Sequence, residues 1–499
     1  MQNNDHVPIK FPKHLYIGGA WVKPSTSATI NVMNSATEEI YVCVAEAMEA
    51  DIDAAVAAAR HAFDQGPWPR LSYAERAGYL RAIAKEFVAR ADELARVWVT
   101  ESGVLYSLAK SRPRVLSDTF EYYAGLAETF QFEEQHPSKS GGVGLLVGEP
   151  VGVVGAIIPW NAPSSLIAYK CAPALLAGCT IILKASPEAP AAAYIMAEIC
   201  EKVGLPAGVL NVLTADRGVS ELLVRHPGVD KITFTGSTAA GRRIASICGE
   251  RIARCTLELG GKSAGIILDD FDIETAATTI ANKATFLTGQ VCSSLTRIVV
   301  QRERHDALVE ALSARLRSVN VGDPFDSNSG MGPLAMSRQR DRVERYVATG
   351  KAEGATLAAG GKRPSHLGQG YYFEPTVFGD VDNRSTIARE EIFGPVLSVI
   401  PADSEDHAIA IANDTIYGLN ATVFTNDVDR AYAAARRLRC GTVGHNASRT
   451  DFGIAFGGFK QSGLGREGGR LGLLPFLEMK TLVLDSMPSA LDKVPYRVA

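Results

Sequence analysis

The 499-residue chain has little of what several protein classes require. Its eight cysteines (Cys43, Cys171, Cys179, Cys200, Cys248, Cys255, Cys292 and Cys440) form no C-x-x-C pair and no regular framework. That usage fits a reducing compartment, not a disulfide scaffold. No apolar run reaches the roughly 20 uninterrupted residues of a membrane helix. Stretches such as "GLLVGEPVGVVGAIIPW" are broken by Gly, Pro and Glu. The opening "MQNNDHVPIKFPKHLYIGGAWV" lacks the charged start and apolar core of a secretory signal, so a cytoplasmic location is expected. Charge of neither sign dominates: the net charge of −4 excludes a broad nucleic-acid surface but not a local site for a small anion. His, Cys and acidic residues nowhere cluster at metal-ligand spacing, so no catalytic metal is expected.

What is there is an ordinary globular composition, 46% apolar and 21% charged, on a chain long enough for roughly two to four domains. The N-terminal third reads as helical, with apolar residues at three- and four-residue spacing in "EADIDAAVAAARHAFDQ" and in the run from Ser72 to Ser102. "QHPSKSGGVGLLVGEP" then suggests a hairpin or extended arm. From residue 151 short apolar strands ("VGVVGAIIP", "TIILKA", "VLNVLT", "DKITFTG", "SAGIILDD") alternate with helical segments. This is the pattern of a parallel, doubly wound α/β sheet. A second such series follows after residue 270, giving two α/β layers in tandem.

Four short stretches carry chemistry. In "TGQVCSSLT" Cys292 stands alone between a helix-like and a strand-like run. It reads either as a small buried hydrophobe or as a nucleophile. In "DKITFTGSTAAGRRIA" a strand enters Gly236-Ser237-Thr238 and a helix follows, which is either plain turn chemistry or a phosphate site at a helix N-terminus. "CTLELGGKSAGIIL" sets one acid, Glu258, among apolar residues, where a carboxyl pKa rises towards that of a general base. The alternative is a solvent-facing or Lys-paired Glu. "IIPWNAPSS" fixes Asn161 between Pro159 and Pro163, where its amide can donate to an oxyanion or simply occupy a rigid turn.

Together, "PWN" (159–161), "FTGSTAAG" (234–241), "LELGGKS" (257–263), "GQVC" (289–292), "EEIFGPV" (390–396), "NDTIYGL" (413–419) and "FGGFKQSGLGRE" (456–467) resemble the aldehyde dehydrogenase superfamily. They do so in chain order and across nearly the whole sequence. The resemblance implies that Cys292 attacks an aldehyde to give a thiohemiacetal and then, after hydride loss, a thioester. It implies an oxyanion hole of Asn161 and the Cys292 backbone, with Glu258 activating the hydrolytic water. Lys170 and Glu467 match positions suggested to relay protons. The implied cofactor is NAD, with NADP also open. It would be held by Lys184, Ser237, Glu391 and Phe393 and lined by Ile157, Pro159, Trp160, Gly236 and Leu259.

The implied fold is a Rossmann-type cofactor domain (1–128 and 150–260) and an α/β catalytic domain (261–476). A small β oligomerisation arm and tail (129–149 and 477–499) would build a homodimer or homotetramer. The implied substrate pocket is Ala162, Leu166, Tyr169, Val291, Ser293, Phe452 and Phe456, a set without a fixed cation. Medium-size apolar aldehydes are therefore the expected partners, with no nucleic acid and no membrane. Arg449 in "NASRTDF" is the cation best placed by sequence to reach in. Departures from the family pattern are Pro187 where many NAD-preferring members carry Glu, the absence of a glycine pair in "TADRGVSE", Gly444 for Trp and Ala455 for Pro. The alternatives are a semialdehyde or coenzyme A-acylating dehydrogenase, a cofactor-independent thiol hydrolase or esterase, and a non-catalytic protein that keeps the fold.

Overall fold

The computed structural model describes residues 7–489, so the last part of the expected tail, 490–499, lies outside the described residues. An eight-stranded sheet runs in the order Gly463–Leu464, Arg254–Glu258, Lys231–Thr235, Val153–Ile157, Thr180–Ala185, Leu210–Thr214, Leu15–Ile17, Ala20–Val22. Its five central strands are parallel, and those at either edge are antiparallel. The sequences VVGAI, TIILKA and LNVLT are buried along their whole length. That is why they read as unbroken apolar runs: helices cover both faces of a parallel sheet.

A seven-stranded sheet follows, ordered Thr356–Ala359, Thr376–Gly379, Val396–Ala402, Leu295–Gln301, Ser263–Ile267, Asn420–Phe424, Thr442–His445. Only its first pair is antiparallel. The arm is a separate antiparallel sheet of Glu133–Pro137, Val143–Pro150 and Leu477–Leu484. Among the described residues no helix is long and apolar enough to cross a membrane.

Local chemistry sets the helix ends around the site. Pro163 at the first turn starts the buried helix Pro163–Ala177, and Gly178 ends it in a left-handed conformation at φ 98°. Ser237 caps Thr238–Arg251 by accepting the Ala240 N–H. Ser72 and Glu75 form a capping box on Tyr73–Ala89, a motif whose cap is worth about 1 kcal/mol.

One expectation changes. The N-terminal third is not only helical: Leu15–Ile17 pairs with Ala20–Val22, and Thr29–Met33 with Ile40–Ala45. The first two of these strands, three residues each, are too short to show a two-residue period, and the strong helix periodicity from Glu49 onward dominated the reading of the rest. The strand Gly463–Leu464 also crosses back from the second layer to edge the first sheet, beside Leu257 and Glu258. Leu473, Phe476 and Leu477 follow it into the first core. The late segment after residue 462 thus contributes both a strand and core side chains to the first layer. The late glycine-rich loop closes over the ends of the first sheet's strands because its backbone completes that sheet.

Candidate active site

Four adjacent parallel strands end towards the second sheet and deliver their following residues to one place, the usual ligand position of an open α/β sheet. Val153–Ile157 leads to Pro159, Trp160 and Asn161, and Lys231–Thr235 to Gly236 and Ser237. Arg254–Glu258 ends on Glu258, and Thr180–Ala185 carries Lys184. Only Leu259–Lys262 connects Glu258 to the second sheet's strand Ser263–Ile267, beside which runs Leu295–Gln301, just after Cys292. The two layers are thereby pinned together at the site.

The loop that carries Cys292 is held in a costly shape. Leu287 and Thr288 both adopt left-handed backbone, at φ 50° and 53°, a state disfavoured by roughly 1–2 kcal/mol per residue. Hydrogen bonds offset this. Thr288 Oγ1 donates to the Gly332 carbonyl (3.0 Å), Gln290 Nε2 to the Leu287 carbonyl (3.0 Å), and the Ala335 N–H to Gln290 Oε1 (3.0 Å). Position 261 must be glycine for this packing, since a Cβ there would lie 2.4 Å from the Cys292 carbonyl oxygen. Cys292 keeps part of its surface open to the cavity. Burial on its other sides, with the carboxylates of Glu391 and Glu258, pushes the thiol up to about 12.

Glu258 is 2% exposed, and neither carboxylate oxygen has a hydrogen-bond partner. Burial and then the charge of Glu467 push its carboxyl well above the usual range, against weaker pulls from Lys170 and Arg466. Gly457, at φ 152°, lets the late loop press against it: a Cβ there would sit 2.7 Å from Glu258 Oε1. Behind it, Lys170 Nζ donates to Glu467 Oε1 (2.5 Å) and to Thr233 Oγ1 (3.3 Å). The Lys–Glu pair and the unpartnered Glu258 carboxyl thus share one buried pocket of charge.

Asn161 is held on both sides. Trp98 Nε1 donates to its carbonyl (2.7 Å), and Ser102 Oγ donates to the Trp160 carbonyl (2.7 Å). Its own Nδ2 donates to the Gln290 carbonyl at 2.9 Å. An amide has two such N–H groups, so one remains for another acceptor. A cavity of about 520 Å³ is lined by Asn161, Glu258, Glu467 and Cys292 together.

The expected substrate positions Ala162, Leu166, Tyr169, Val291, Ser293, Phe452 and Phe456 all line this cavity. Tyr169 stacks on Phe452 (3.8 Å, 7°), which stacks on Phe456 (4.4 Å, 22°), giving a flat aromatic wall. Of the expected cofactor positions, Pro159, Trp160, Gly236, Ser237, Leu259, Glu391 and Phe393 line it too. Trp160 and Phe393 meet edge-to-face at 5.4 Å, with Phe393 itself at φ 61°. Glu391 Oε1 accepts the Gly261 N–H (3.0 Å), and burial raises its carboxyl to about 7.

Three expected residues stand outside the cavity wall. Ile157 is buried in its strand, and Lys170 lies behind Glu258. Lys184 is buried at a strand end, where desolvation brings its ammonium down to about 8 despite Glu188 and Asp216 nearby.

A family model described as "Aldehyde dehydrogenase family" matches residues 21–482. The chain belongs to the aldehyde dehydrogenase family. Geranial dehydrogenase of Castellaniella defragrans is 43% identical over 473 residues, 95% of this chain and 98% of that protein. The Mycobacterium tuberculosis aldehyde dehydrogenase complexed with NAD+ matches with a TM-score of 0.92 at 44% identity, covering 95% and 98% of the two chains. A mutant of aldehyde dehydrogenase C from Pseudomonas syringae, in complex with NAD+ and octanal, matches with a TM-score of 0.92 at 37% identity, covering 96% and 98%. As a member of the family the chain is an oxidoreductase that takes an aldehyde to its carboxylic acid.

The aldehyde dehydrogenase cavity also contains residues that no motif pointed to. Trp98, Arg112, Lys283 and Phe286 line its substrate side, while Gln339, Arg338 and Arg342 line the cofactor side. Gln339 Nε2 donates to the carbonyls of Ile392 and Phe393 at 3.1 and 2.6 Å, which orients the "EEIFGPV" turn. Arg449 is exposed and does not line the cavity. Its neighbours Ser448 and Thr450 do line it, and Arg112 and Lys283 are cations that line it directly. Arg112 comes from a helix far from the motifs and Lys283 from the helix just before "GQVC", and packing brings the two together.

Proposed function

We propose that Cys292 is the nucleophile, Asn161 the oxyanion donor and Glu258 the deacylating base of an NAD-dependent aldehyde oxidation. The observation that carries this is a thiol and a buried, partnerless carboxylate lining the same cavity. As Cys292 Sγ bonds to the aldehyde carbon, the thiol proton is lost to solvent in the cavity and the charge moves to the former carbonyl oxygen. The free Asn161 N–H and the Cys292 backbone N–H take the negative charge on oxygen. When bound, NAD supplies the two-electron acceptor that turns the thiohemiacetal into a thioester. Glu258 then accepts a proton from water as that water adds to the thioester carbon; the C–S bond breaks, the acid leaves and the thiol is restored. Lys170 and Glu467, packed behind Glu258, are placed to pass its proton on. Because Glu258 has no partner to give up, it is available to water, and this favours hydrolysis over transfer to coenzyme A.

The cofactor side fits a dinucleotide. The capped N-terminus of Thr238–Arg251 opens on the cavity, and Thr235 Oγ1 beside it is buried without a partner. Ser237 would meet the pyrophosphate there, while Lys184 and Glu391 would hold the two riboses, with Phe393 beside the second. The Mycobacterium tuberculosis relative with NAD+ supports NAD. Pro187 offers no carboxylate to repel a 2′-phosphate, and the Glu188 carboxylate is taken by Ser186 and Arg338. NAD is expected to stay preferred, with NADP disfavoured by no more than about tenfold in kcat/KM. Arg217→Ser, at the cavity wall, is expected to widen that gap. Steady-state kinetics with both cofactors decide it, and a strong NADP preference would overturn the choice of NAD.

The substrate reading is an aldehyde with an apolar body. Trp98, Leu287, Ala162, Phe286 and Val291 share one apolar cluster on the side of the cavity facing Tyr169 and Phe452. Each CH₂ buried there contributes roughly 0.8 kcal/mol, close to fourfold in affinity. Medium-length aliphatic, aromatic or terpenoid aldehydes are therefore expected to exceed acetaldehyde, succinic semialdehyde and betaine aldehyde in kcat/KM. A panel of these aldehydes checks it, and first place for one of those three overturns it.

The same reading keeps the division into a cofactor part, a catalytic part and an arm, with the late loop now shared between the first two. It also keeps a homodimer or homotetramer built on the arm, whose last strand exposes Met479 and Val483.

A further inference from the structure

The apolar cluster that lines the cavity beside Cys292 carries two cations over one of its members, Phe286. Arg112 stands in the first turn of helix Arg112–Thr129 and is half-buried. Lys283 stands in the last turn of Ile273–Thr285 and is exposed. Both line the cavity, and both lie over the same ring: the Arg112 guanidinium is 5.5 Å and the Lys283 ammonium 5.7 Å from the Phe286 centroid. Among the described residues neither makes a salt bridge or a hydrogen bond to a carboxylate. The acids nearby are already used. Asp451 accepts the Gly453 N–H, and Glu467 is paired with Lys170.

Two like charges drawn to one aromatic ring repel each other, and cation–π attraction of this kind is modest at an open site. Partial burial, and then the charge of Arg112, lower the Lys283 ammonium from its ordinary value. By contrast, on the cofactor side Arg338 pairs with Glu188, and Arg342 donates to the carbonyls of Glu391 and Ile392. An anion between Arg112 and Lys283 would remove the repulsion and gain charge-assisted hydrogen bonds from a forked guanidinium.

We propose that Arg112 and Lys283 form a subsite for a carboxylate at the far end of the substrate. The aldehyde would then be an ω-oxo acid whose apolar middle runs past Phe452, Trp98 and Phe286. This rests on the apolar-body reading and refines it. A short semialdehyde gains nothing, because its charge would stop in the apolar section. A quaternary ammonium would meet two cations.

The test compares kcat/KM, with NAD, for ω-oxo carboxylic acids of about six to ten carbons against n-alkanals of the same length. The expected result is an advantage of about tenfold or more for the acid at one or more lengths. In Arg112→Gln/Lys283→Gln that ratio should fall to about one, while Lys283→Arg retains it. Because each ratio is taken within one preparation, partial misfolding of a variant does not alter it. If alkanals match or beat the acids at every length, the subsite is overturned and the apolar-body reading stands. An acid advantage that persists in the double variant also overturns the subsite. If acetaldehyde outperforms both series, it is the apolar-body reading that falls.

Discussion

Cys292→Ala abolishes aldehyde oxidation, with kcat/KM falling on the order of 10⁴-fold or more, while NAD still binds. The thiol makes the covalent bond, whereas Trp160, Ser237, Glu391 and Phe393, which line the cofactor side, are left in place. Quenching of protein fluorescence by NAD and a steady-state assay on one preparation separate the two effects. Equal loss of both would show that the cysteine supports the fold and not the chemistry. The raised thiol pKa adds a second observable. In cofactor-free enzyme, burial and the two carboxylates hold Cys292 protonated at neutral pH. Its alkylation by iodoacetamide should therefore be slow at pH 7 and rise about tenfold per pH unit, as the thiolate fraction does.

Glu258→Gln gives one rapid turnover per site and then stalls. Acylation and reduction of the cofactor proceed, and hydrolysis of the thioester falls roughly 10²- to 10⁴-fold without its base. Stopped-flow absorbance of reduced cofactor shows the burst, and normal steady turnover would remove Glu258 from deacylation. The pH dependence has a definite sign. The Glu258 carboxyl is raised, so its basic form appears only as pH climbs through that raised value, and wild-type turnover falls as pH drops through it. The variant loses this limb. Stability moves the other way. A carboxyl raised on folding binds its proton more tightly in the native state, so its contribution is full below the unfolded pKa and is lost as pH rises through the folded one. Glu258→Gln removes that loss, and its Tm should exceed the wild-type value at neutral and alkaline pH.

Much of this site was legible because its residues follow strand ends. Pro159–Asn161, Gly236–Ser237 and Glu258 each come directly after, or end, a short apolar run, and a parallel sheet collects such ends along one edge. Neither the partners that fix these residues nor the pair of cations over Phe286 was visible. Trp98, which holds the Asn161 carbonyl, looks in sequence like one more apolar position on an amphipathic helix. Arg112 and Lys283 look like ordinary surface charges near helix ends. Distance along the chain says little about distance in space.

The sequence by itself determined the α/β layers and the family, and it singled out the thiol, the acid and the amide that line the cavity, because each depends on residue type and local spacing. Only the tertiary structure decided that Gly463–Leu464 returns to edge the first sheet and that Glu258 is left without a partner. It alone brought two unpaired cations together over Phe286. Those facts depend on which surfaces exclude water and which charges find a counter-charge, and both are settled between segments far apart in the chain.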